Sequence, residues 1–477
     1  MIKREAFQNT ILKTLYGIEG VVSVTLVGSF AEGVGNEGFS DIDTVVICKN
    51  LDETLFKKCL KACENLENII DKKLYINSTF GPLKFDAEDN VVIHLMVYDL
   101  FSHIKHVHRS PFTCYDWERS NKYLGVKLGE ICTVGTLLFD DFKKSRRGFA
   151  EYEAELEKDT LSYREYEWQN SLPTEIVKYQ PLDDRGKAEF IFHIVKNLIY
   201  NFFKLISGKN KIPNTIEVKT VINKIVPNDL DFFDQFEELM ILKKCNQLEY
   251  TASIKKWALI FISSFEDYLK KEESSIVNVI FIRHAKTSKN DGRFLGVYSN
   301  PSILKYDYKI NMKFDIIFTS PLKRAIQTAL LLKNKEQIIS DSSLLEINYG
   351  DADGMEILEF SKKYPNIVDA WSKKLDPKFP SGENYANVLS RIDDFSVTLA
   401  AYTKDNINDK SIGVITHNVL LRCLIGTKMK LPNHLWHLID IPHCSQLHFH
   451  IWQGKLVSSM DRAYLVDLHL RNVVSLQ

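Results

Sequence analysis

The first 140 residues alternate between two hydrophobic patterns. Segments 3–18 and 52–71 have apolar residues every three or four positions, which predicts amphipathic helices. The short apolar runs VVSVTLVG and DTVVIC, and the later LYINSTFGPLKF and NVVIHLMVYD, predict strands. This order of elements predicts a small mixed sheet with helices on one face.

The pattern changes after about residue 145, where charged residues and helical apolar spacing dominate up to residue 270. Examples are KAEFIFHIVKNLIYNFFKLISGK and DFFDQFEELMILKKC, with Gly, Pro and Asn supplying stops in SGKNKIPN and VPND. The pattern predicts a helical bundle.

Near Lys270 the charged stretch KKEESS gives way to IVNVIFI, a fully apolar run typical of a buried parallel strand. FDIIFTS and SIGVITH resemble it and are separated by helical segments such as PLKRAIQTALLLK, which predicts α/β alternation. At 477 residues the chain is too long for one core. We therefore predict an α/β multidomain protein with domains at 1–140, 141–272 and 273–477.

The amino-acid composition argues against membrane proteins and nucleic-acid-binding proteins. A net charge of −1 gives no bulk electrostatic case for binding nucleic acid or an anionic membrane. No apolar run approaches the roughly 18 to 20 residues of a membrane span, and the N-terminal segment has acids where a signal sequence would not. Eight cysteines without a C-x-x-C pair predict buried thiols. We expect a cytoplasmic protein with neither membrane nor nucleic acid as partner.

Five residues of the last domain fall at strand ends or in loops. Arg283 and His284 follow the first strand, Arg324 opens a helix after the next, Glu346 lies in LLEINYGDADG, and His417 follows IGVIT. Arginines can bind a phosphate dianion bidentately, one imidazole can attack phosphorus, and another can stabilise the transferring charge. The set predicts a phosphomonoester site.

Five stretches in order give residues 276–477 a resemblance to the histidine phosphatase superfamily, with its phosphoglycerate mutase-like fold. They are RHAKTSKNDGRFLG, SPLKRAIQTA, LLEINYGDADG, Gly382-Glu383 and Thr416-His417. The resemblance implies a three-layer α/β/α domain that needs no metal.

By this resemblance His284 is the nucleophile that becomes phosphohistidine, and Arg283, Arg324 and His417 form the phosphate pocket. Glu346 is then the proton donor to the leaving group. An imidazole with a pKa of about 6.5 is largely unprotonated at pH 7, and a neighbouring guanidinium favours that form.

Two positions depart from the family pattern. Ala285 replaces the usual glycine after the nucleophile, and Asn418 stands where some members carry the acid, which leaves Glu346 for that role. Because nothing indicates a retained phosphoryl group, we expect hydrolysis instead of a mutase reaction.

The N-terminal domain carries a second constellation. Gly28 and Ser29 follow a predicted strand, so their backbone and hydroxyl can approach a triphosphate closely. Asp41 and Asp43 alternate on the next strand, which points both carboxylates to one face about 6.5 Å apart. That spacing suits Mg²⁺ bound to nucleotide phosphates.

Residues 20–100 resemble the small members of the DNA polymerase β-like nucleotidyltransferase superfamily. The stretches VGSFAEG and SDID carry this resemblance. The resemblance implies Mg²⁺, a nucleoside triphosphate as substrate, and a third carboxylate on a later strand, where this chain has His94. His94 could act as base or metal ligand, Asp86 or Asp99 could supply the carboxylate, or the domain could bind nucleotide with reduced catalysis.

Downstream of that strand come His103, His106, His108 and Arg109, which are either polar surface or contacts to phosphates. The helical domain is expected to shape the acceptor site or a homo-oligomer interface, with the Lys and Arg residues on a solvated face.

The domain pairing suggests a bifunctional enzyme that works on one small metabolite: one site attaches a nucleoside monophosphate and the other removes a phosphate, as in making an activated precursor of a surface glycan. Two alternatives stay open. One is a phosphatase with a regulatory or nucleotide-binding N-terminal module, and the other is a nucleotidyltransferase that modifies a protein, RNA or antibiotic.

Overall fold

A computed structural model of the chain divides into two compact units, one ending at Lys270 and the other beginning at Lys271. The structure describes residues 4–32, 41–70, 73–81, 91–144, 148–229, 231–245, 247–304, 312–332, 338–406 and 410–458.

The strands of the first unit are β1 (Val21–Val27), β2 (Asp41–Cys48), β3 (Leu74–Asn77), β4 (Val91–Asp99), β5 (Tyr123–Gly125), β6 (Thr160–Gln169) and β7 (Leu172–Pro181). Its helices are α1 (Arg4–Tyr16), α2 (Gly28–Glu32), α3 (Glu53–Glu64), α4 (Leu100–Arg109), α5 (Pro111–Trp117), α6 (Leu128–Ile131), α7 (Asp141–Lys144), α8 (Phe149–Lys158), α9 (Asp184–Ser207), α10 (Thr215–Ile225), α11 (Phe232–Lys244) and α12 (Ala252–Ser274). The last turn of α12 lies beyond the boundary at Lys270.

The first unit is built on a mixed sheet in the order β3-β4-β2-β1-β5. β2, β3 and β4 are parallel, whereas β1 pairs antiparallel with β2 and β5. The strand pattern alternates so that Val46 and Cys48 pack into a core with α1 and α3, while Val45 and Ile47 pack into another with α4 and α5. The prediction of helices on one face was therefore wrong, because both faces of β2 are apolar and each needs a cover.

Residues 160–181 correct the helical prediction for the middle of the chain, since β6 and β7 form a hairpin there. Asn170 and Ser171 both have positive φ (49° and 63°), which is the conformation of a two-residue turn of the type that matches strand twist. Every side of this hairpin carries charged residues, so hydrophobic periodicity gave no strand signal.

Aromatic side chains of α7, α9 and α12 pack against one another in the helical part. Phe142, Phe202 and Phe265 contact one another edge to face, with ring centroids 5.0 to 6.3 Å apart. Buried Lys204 on α9 pairs with Asp116 on α5 at 2.7 Å, which ties this helical part to the helices of the sheet. The sheet and the helical part thus belong to one compact unit, and their division at residue 140 stays a prediction.

The second unit contains β8 (Val277–Arg283), β9 (Ile316–Thr319), β10 (Ile338–Ser340), β11 (Ser411–Thr416), β12 (Gln446–Trp452) and β13 (Lys455–Ser458). Its helices are α13 (Lys323–Ala329), α14 (Ile357–Lys363), α15 (Pro365–Ser372), α16 (Tyr385–Asp405) and α17 (Asn418–Lys428).

The sheet of the second unit has the order β10-β9-β11-β8-β12-β13, with the first four strands parallel and the last two antiparallel. Ile280 and Ile282 face a core shared with Ala325 of α13, whereas Phe281 faces Phe395 of α16 at 6.3 Å between ring centroids. Helices cover both faces, which gives three layers. The predicted α/β multidomain fold class is confirmed.

No helix in the described ranges is both long enough and apolar enough to cross a bilayer. All eight cysteines are free, and those that are buried are Cys48, Cys59, Cys63, Cys114, Cys132 and Cys423.

Candidate active sites

The predicted residues of the second unit meet at one edge of its sheet. His284 follows β8, His417 follows β11, and Arg324 lies in the first turn of α13 after β9. Because β8, β9 and β11 are parallel neighbours, their carboxyl ends lie side by side. The imidazole rings of His284 and His417 come within 5.1 Å between centroids.

The His284 side chain is held in one tautomer. It is only 3% exposed, and its Nδ1 lies 2.7 Å from the carbonyl oxygen of Ala285. A carbonyl oxygen can only accept, so Nδ1 carries the proton and Nε2 carries the lone pair. Burial, followed by the charge of Arg324, holds the pKa of His284 well below its usual value. The ring is therefore a neutral imidazole with its nucleophilic nitrogen unprotonated.

Arg324 is fully buried and donates to the carbonyl oxygens of Ser299 and Gly296, each at 2.9 Å. The same loop donates backbone N–H groups to the Asp353 carboxylate, from Tyr298 at 2.8 Å and from Gly296 at 3.3 Å. A Cβ on Gly296 would lie 2.8 Å from Asp353 Oδ2, so only glycine allows this approach. The loop thus connects the arginine and the carboxylate.

His417 and Arg283 complete the wall of the pocket. His417 Nε2 lies 2.8 Å from the hydroxyl of Ser320, while the Arg283 guanidinium donates to the carbonyl of Ile441. The pKa of His417 is also well below its usual value, because of burial and then of Arg324. The pocket therefore holds two neutral imidazoles between two guanidinium groups.

Glu346 is buried under the first turn of α17. Its Oε1 accepts from the backbone N–H of Ile347 at 3.0 Å and of Val419 at 3.2 Å. Burial raises the pKa of Glu346 above its usual value even though Arg324 and Arg283 act to lower it. A carboxylic acid that retains its proton can donate it to a leaving group.

Sequence reasoning missed Arg391, which holds the segment that carries Glu346. Its Nε and Nη2 bind the Glu383 carboxylate at 3.0 and 2.9 Å, and its Nη1 donates to the carbonyls of Ser343 and Leu345 at 2.9 Å. The signal available in the sequence was an Arg in α16 eight residues after Glu383.

Several buried polar atoms around His284 lack a hydrogen-bond partner within the described part of the chain: Arg283 Nε, Arg324 Nε, His417 Nδ1 and His443 Nε2. Unsatisfied buried donors are rare in native proteins and ask for an explanation. Their grouping around one nucleophile fits an anionic ligand. His443, which the sequence did not bring to notice, has its ring centroid 5.5 Å from that of His284.

The predicted site of the first unit lies across three neighbouring strands. In register, Asp43 on β2 faces Val27 on β1 and His94 on β4. Gly28 follows β1 with φ of 72°, and a Cβ there would lie 2.5 Å from Asp43 Oδ2. Ser29 is exposed beside it. The glycine thus leaves the space that one Asp43 oxygen occupies.

The His94 ring lies between two acceptors. Its Nδ1 is 3.1 Å from Asp43 Oδ1, and its Nε2 is 2.6 Å from the carbonyl oxygen of Thr79. Burial acts to lower the pKa of His94, but the hydrogen bonds to Asp43 and Thr79 outweigh it, and the pKa lies above its usual value. In this arrangement both ring nitrogens donate, so neither has a lone pair for a metal or a proton.

The alternative carboxylates have other placements. Asp99 caps α4, where its Oδ1 accepts from Ser102 N at 2.6 Å, and it lies five residues along β4 from His94. Asp86 falls outside the described residues.

Of the downstream histidines, His106 is buried and stacks on Tyr98 at 5.0 Å, and His103 and His108 are buried as well. The histidines are thus core residues of α4 instead of polar surface.

Asp41 and Asp43 are candidate ligands of a divalent cation. Asp41 is exposed and Asp43 partly so, and within the described residues no group of three or more His, Cys, Asp or Glu is placed to hold a metal. Mg²⁺ is commonly bound by one or two carboxylates together with substrate phosphates and waters. The carboxylate of Asp43 beside the bare Cα of Gly28, with Asp41 two residues before it on β2, fits that ligand set.

Comparisons with known proteins agree with the two constellations. A family profile described as the nucleotidyltransferase domain matches residues 8–95, which include Gly28, Asp43 and His94. The profile of the histidine phosphatase superfamily (branch 1) matches residues 306–460, which begin after His284.

Phosphoserine phosphatase 1 of Hydrogenobacter thermophilus is 30% identical over 163 residues, which is 31% of this chain and 74% of that protein. The 2,3-bisphosphoglycerate-dependent phosphoglycerate mutase of Cytophaga hutchinsonii is 30% identical over 145 residues, covering 29% of this chain and 62% of that protein. A solved structure of the alpha-ribazole phosphatase from Shigella flexneri covers 39% of this chain and 96% of its own, with 19% identity and a TM-score of 0.33.

Proposed function

The chain belongs to the histidine phosphatase superfamily and carries a nucleotidyltransferase domain as well, and from this premise we propose that it is a bifunctional enzyme. One unit transfers a nucleotidyl group from a nucleoside triphosphate to a small acceptor in a Mg²⁺-dependent reaction. The other hydrolyses a phosphomonoester through a phosphohistidine.

In the phosphatase site, Nε2 of His284 attacks phosphorus while the bond from phosphorus to the ester oxygen breaks. That oxygen takes the proton of Glu346 and leaves as an alcohol. Water then attacks the phosphohistidine, gives its proton back to Glu346, and releases inorganic phosphate. Arg283, Arg324 and His417 stabilise the transferring charge.

The observation that carries this proposal is the hydrogen bond from His284 Nδ1 to Ala285 O at 2.7 Å. It leaves Nε2 as the only basic nitrogen of a buried ring beside two guanidinium groups. A histidine with a purely structural role would not need a free ring nitrogen. It would also not need neighbouring arginines whose Nε atoms lack hydrogen-bond partners within the described residues.

In the nucleotidyltransferase site, Asp41 and Asp43 would hold Mg²⁺, which when bound neutralises charge on the nucleotide phosphates. Gly28 and Ser29 lie where a backbone and a hydroxyl can approach those phosphates. His94 takes the position of a third carboxylate, and its contact with Asp43 fixes one oxygen of that ligand.

A specific observation favours a second candidate for this unit, a nucleotide-binding module with reduced catalysis. His94 donates from both ring nitrogens, so it supplies no base for the attacking hydroxyl. We keep nucleotidyl transfer as the main proposal because Asp41, Asp43 and Gly28 are all present. An assay of label transfer from a nucleoside triphosphate separates the enzyme from a binding module.

We propose that both reactions act in sequence on one small metabolite, and that the product is an activated precursor such as those used for surface glycans. The support is the presence of the two domains in one chain, which is an argument by association.

The test uses the full chain with single variants at each site. The His284→Ala protein should lose phosphatase activity toward a panel of phosphomonoesters and fail to form an acid-labile ³²P adduct, while it retains nucleotide-dependent activity. The Asp43→Asn protein should lose Mg²⁺-dependent transfer from α-³²P-labelled triphosphates and retain phosphatase activity.

Normal phosphatase turnover in His284→Ala would contradict the first assignment. If the wild-type protein binds triphosphate with Mg²⁺ but transfers no label to any acceptor in an extract of small metabolites, the binding-module candidate replaces nucleotidyl transfer.

A further inference from the structure

His443 is a third imidazole beside the phosphatase pocket, and the proposed mechanism does not use it. Its ring meets that of His284 at 64° with 5.5 Å between centroids. His443 is half-buried, whereas His284 and His417 are 3% and 0% exposed. It therefore lies on the solvent side of the other two, where the part of a substrate beyond phosphorus would pass.

The backbone around His443 is tied to the strand that carries His284. Cys444 N donates to Arg283 O at 3.0 Å, and Arg283 N donates to Ser445 O at 3.3 Å. Cys444 has φ of 61°, a conformation that residues other than glycine seldom adopt and that persists where the surroundings impose it. These contacts fix the direction of His443 toward the pocket.

Nε2 of His443 is buried without a hydrogen-bond partner in the described part of the chain. The orphaned atoms of Arg283, Arg324 and His417 can be satisfied by oxygens of the transferred phosphoryl group. Because His443 lies further out, its partner would be an acceptor on the leaving group.

Lys286 adds a positive charge at the same place. It is exposed two residues after His284, and within the described residues it forms no ion pair. Burial, then the charges of Arg283 and Lys286, lower the pKa of His443 to about 4. His443 is thus a neutral donor that feels the charge of the exposed Lys286 two residues beyond His284, a combination that suits a carboxylate or a second phosphate.

We propose that His443 and Lys286 recognise an anionic group on the leaving-group side of the phosphomonoester, so that the substrate is a phosphomonoester with a second negative charge close to the ester oxygen. The proposal rests on the proposed phosphatase function. His443 donates a hydrogen bond to the anionic group and Lys286 supplies its counter-charge, while bond breaking at phosphorus stays with His284 and Glu346.

The test compares two substrates with the full-length protein. O-Phosphoserine has a carboxylate on the leaving group, and phenyl phosphate has none. His443→Ala and Lys286→Gln should each lower kcat/KM for O-phosphoserine by about 10- to 30-fold, as expected for loss of a charged hydrogen bond, and change kcat/KM for phenyl phosphate less than about threefold. His443→Asn, which keeps a donor, should recover part of the loss.

His437→Ala and Lys404→Gln are matched controls, because both positions are exposed in the same unit and lie outside the pocket. They should leave both substrates unchanged. Equal losses for the two substrates, or no loss for either, would overturn the proposal. If wild-type protein hydrolyses neither substrate nor any other phosphomonoester, the proposed phosphatase function itself fails, which is a distinguishable result. Thermal unfolding of each variant shows whether it is folded, and the Asn variant provides the comparison if the Ala variant is not.

Discussion

The two sites differ in how much of their chemistry the chain supplies by itself. In the second unit the proposed nucleophile, acid and phosphate-binding groups are all side chains, and His284, Arg324, Glu346 and His417 are buried. In the first unit Asp41 is exposed and Asp43 is held only by neighbours in the sheet. In the proposed function, a cation and a nucleotide would complete the first site.

The two sites also differ in which charged groups are buried. Around His284, burial and the arginines lower the pKa of both imidazoles, so the positive charge of the pocket comes from the guanidinium groups of Arg283 and Arg324. Around Asp43, a ring nitrogen of His94 lies 3.1 Å from one carboxylate oxygen. Under the proposed functions, the second unit offers guanidinium groups to a phosphate dianion, whereas a metal in the first unit would share Asp43 with His94.

The largest effect is expected from Glu346→Gln. The amide keeps an acceptor for Val419 N but cannot donate a carboxylic proton, so kcat for an alkyl phosphate should fall about 10²- to 10³-fold. p-Nitrophenyl phosphate, whose leaving group is stable as an anion, should be affected about tenfold or less. Steady-state rates with both substrates check this, and equal losses would assign the acid to another group.

A comparable change in the first unit is Gly28→Ala. The new Cβ would displace the Asp43 carboxylate, which lies 2.5 Å from it, and misplacement of this size costs about 100-fold in rate. Nucleotide-dependent transfer should fall by that factor while phosphatase activity stays unchanged.

Gly208→Ala is the matched control for this change. Gly208 has nearly the same φ, 66°, but nothing within 4 Å of its Cβ position. It imposes the backbone strain without the clash, so an equal loss of transfer in this variant would remove Asp43 from the explanation.

A smaller effect is expected from Arg391→Lys, which replaces a bidentate bond to Glu383 by a single contact. The segment around Glu346 should loosen, with about a tenfold lower kcat for alkyl phosphates and about 1 to 2 kcal/mol less stability. Arg293→Lys, in an exposed pair with Glu356, is the control and should change neither quantity. Rates and denaturant unfolding measure both, and a stability loss without a rate loss would make Arg391 structural only.

The last prediction concerns the protonation of His284, for which we expect no change over the pH range tested. Because the pKa of His284 is lowered, its ring should stay neutral as the pH falls from 7 to 5.5, where an ordinary imidazole with a pKa of about 6.5 would become mostly protonated. Histidine ¹⁵N NMR, with the His284→Ala protein to assign the signal, measures this directly. Protonation near pH 6.5 would show that the pocket does not desolvate the ring as described.

Much of the second unit could be predicted, because strand-end residues such as His284 and His417 follow apolar runs that only a buried parallel sheet explains. The β6–β7 hairpin could not be predicted from periodicity, although the turn residues Asn170 and Ser171 were a signal for it. Arg391 and His443 were missed for another reason. His443 lies beside a segment more than 40 residues away, and Arg391 contacts such a segment as well as Glu383, whose spacing of eight residues was its one local signal.

The sequence by itself determined the two families, the order of the domains and the chemical types at each site, since these depend on motif residues and on the hydrophobic pattern of their strands. Only the tertiary structure decided which nitrogen of His284 bears the proton, that burial raises the pKa of Glu346, and that His94 meets Asp43 and Thr79 at once. Protonation and hydrogen-bond direction depend on what surrounds a group in three dimensions, and residues distant in the chain provide those surroundings.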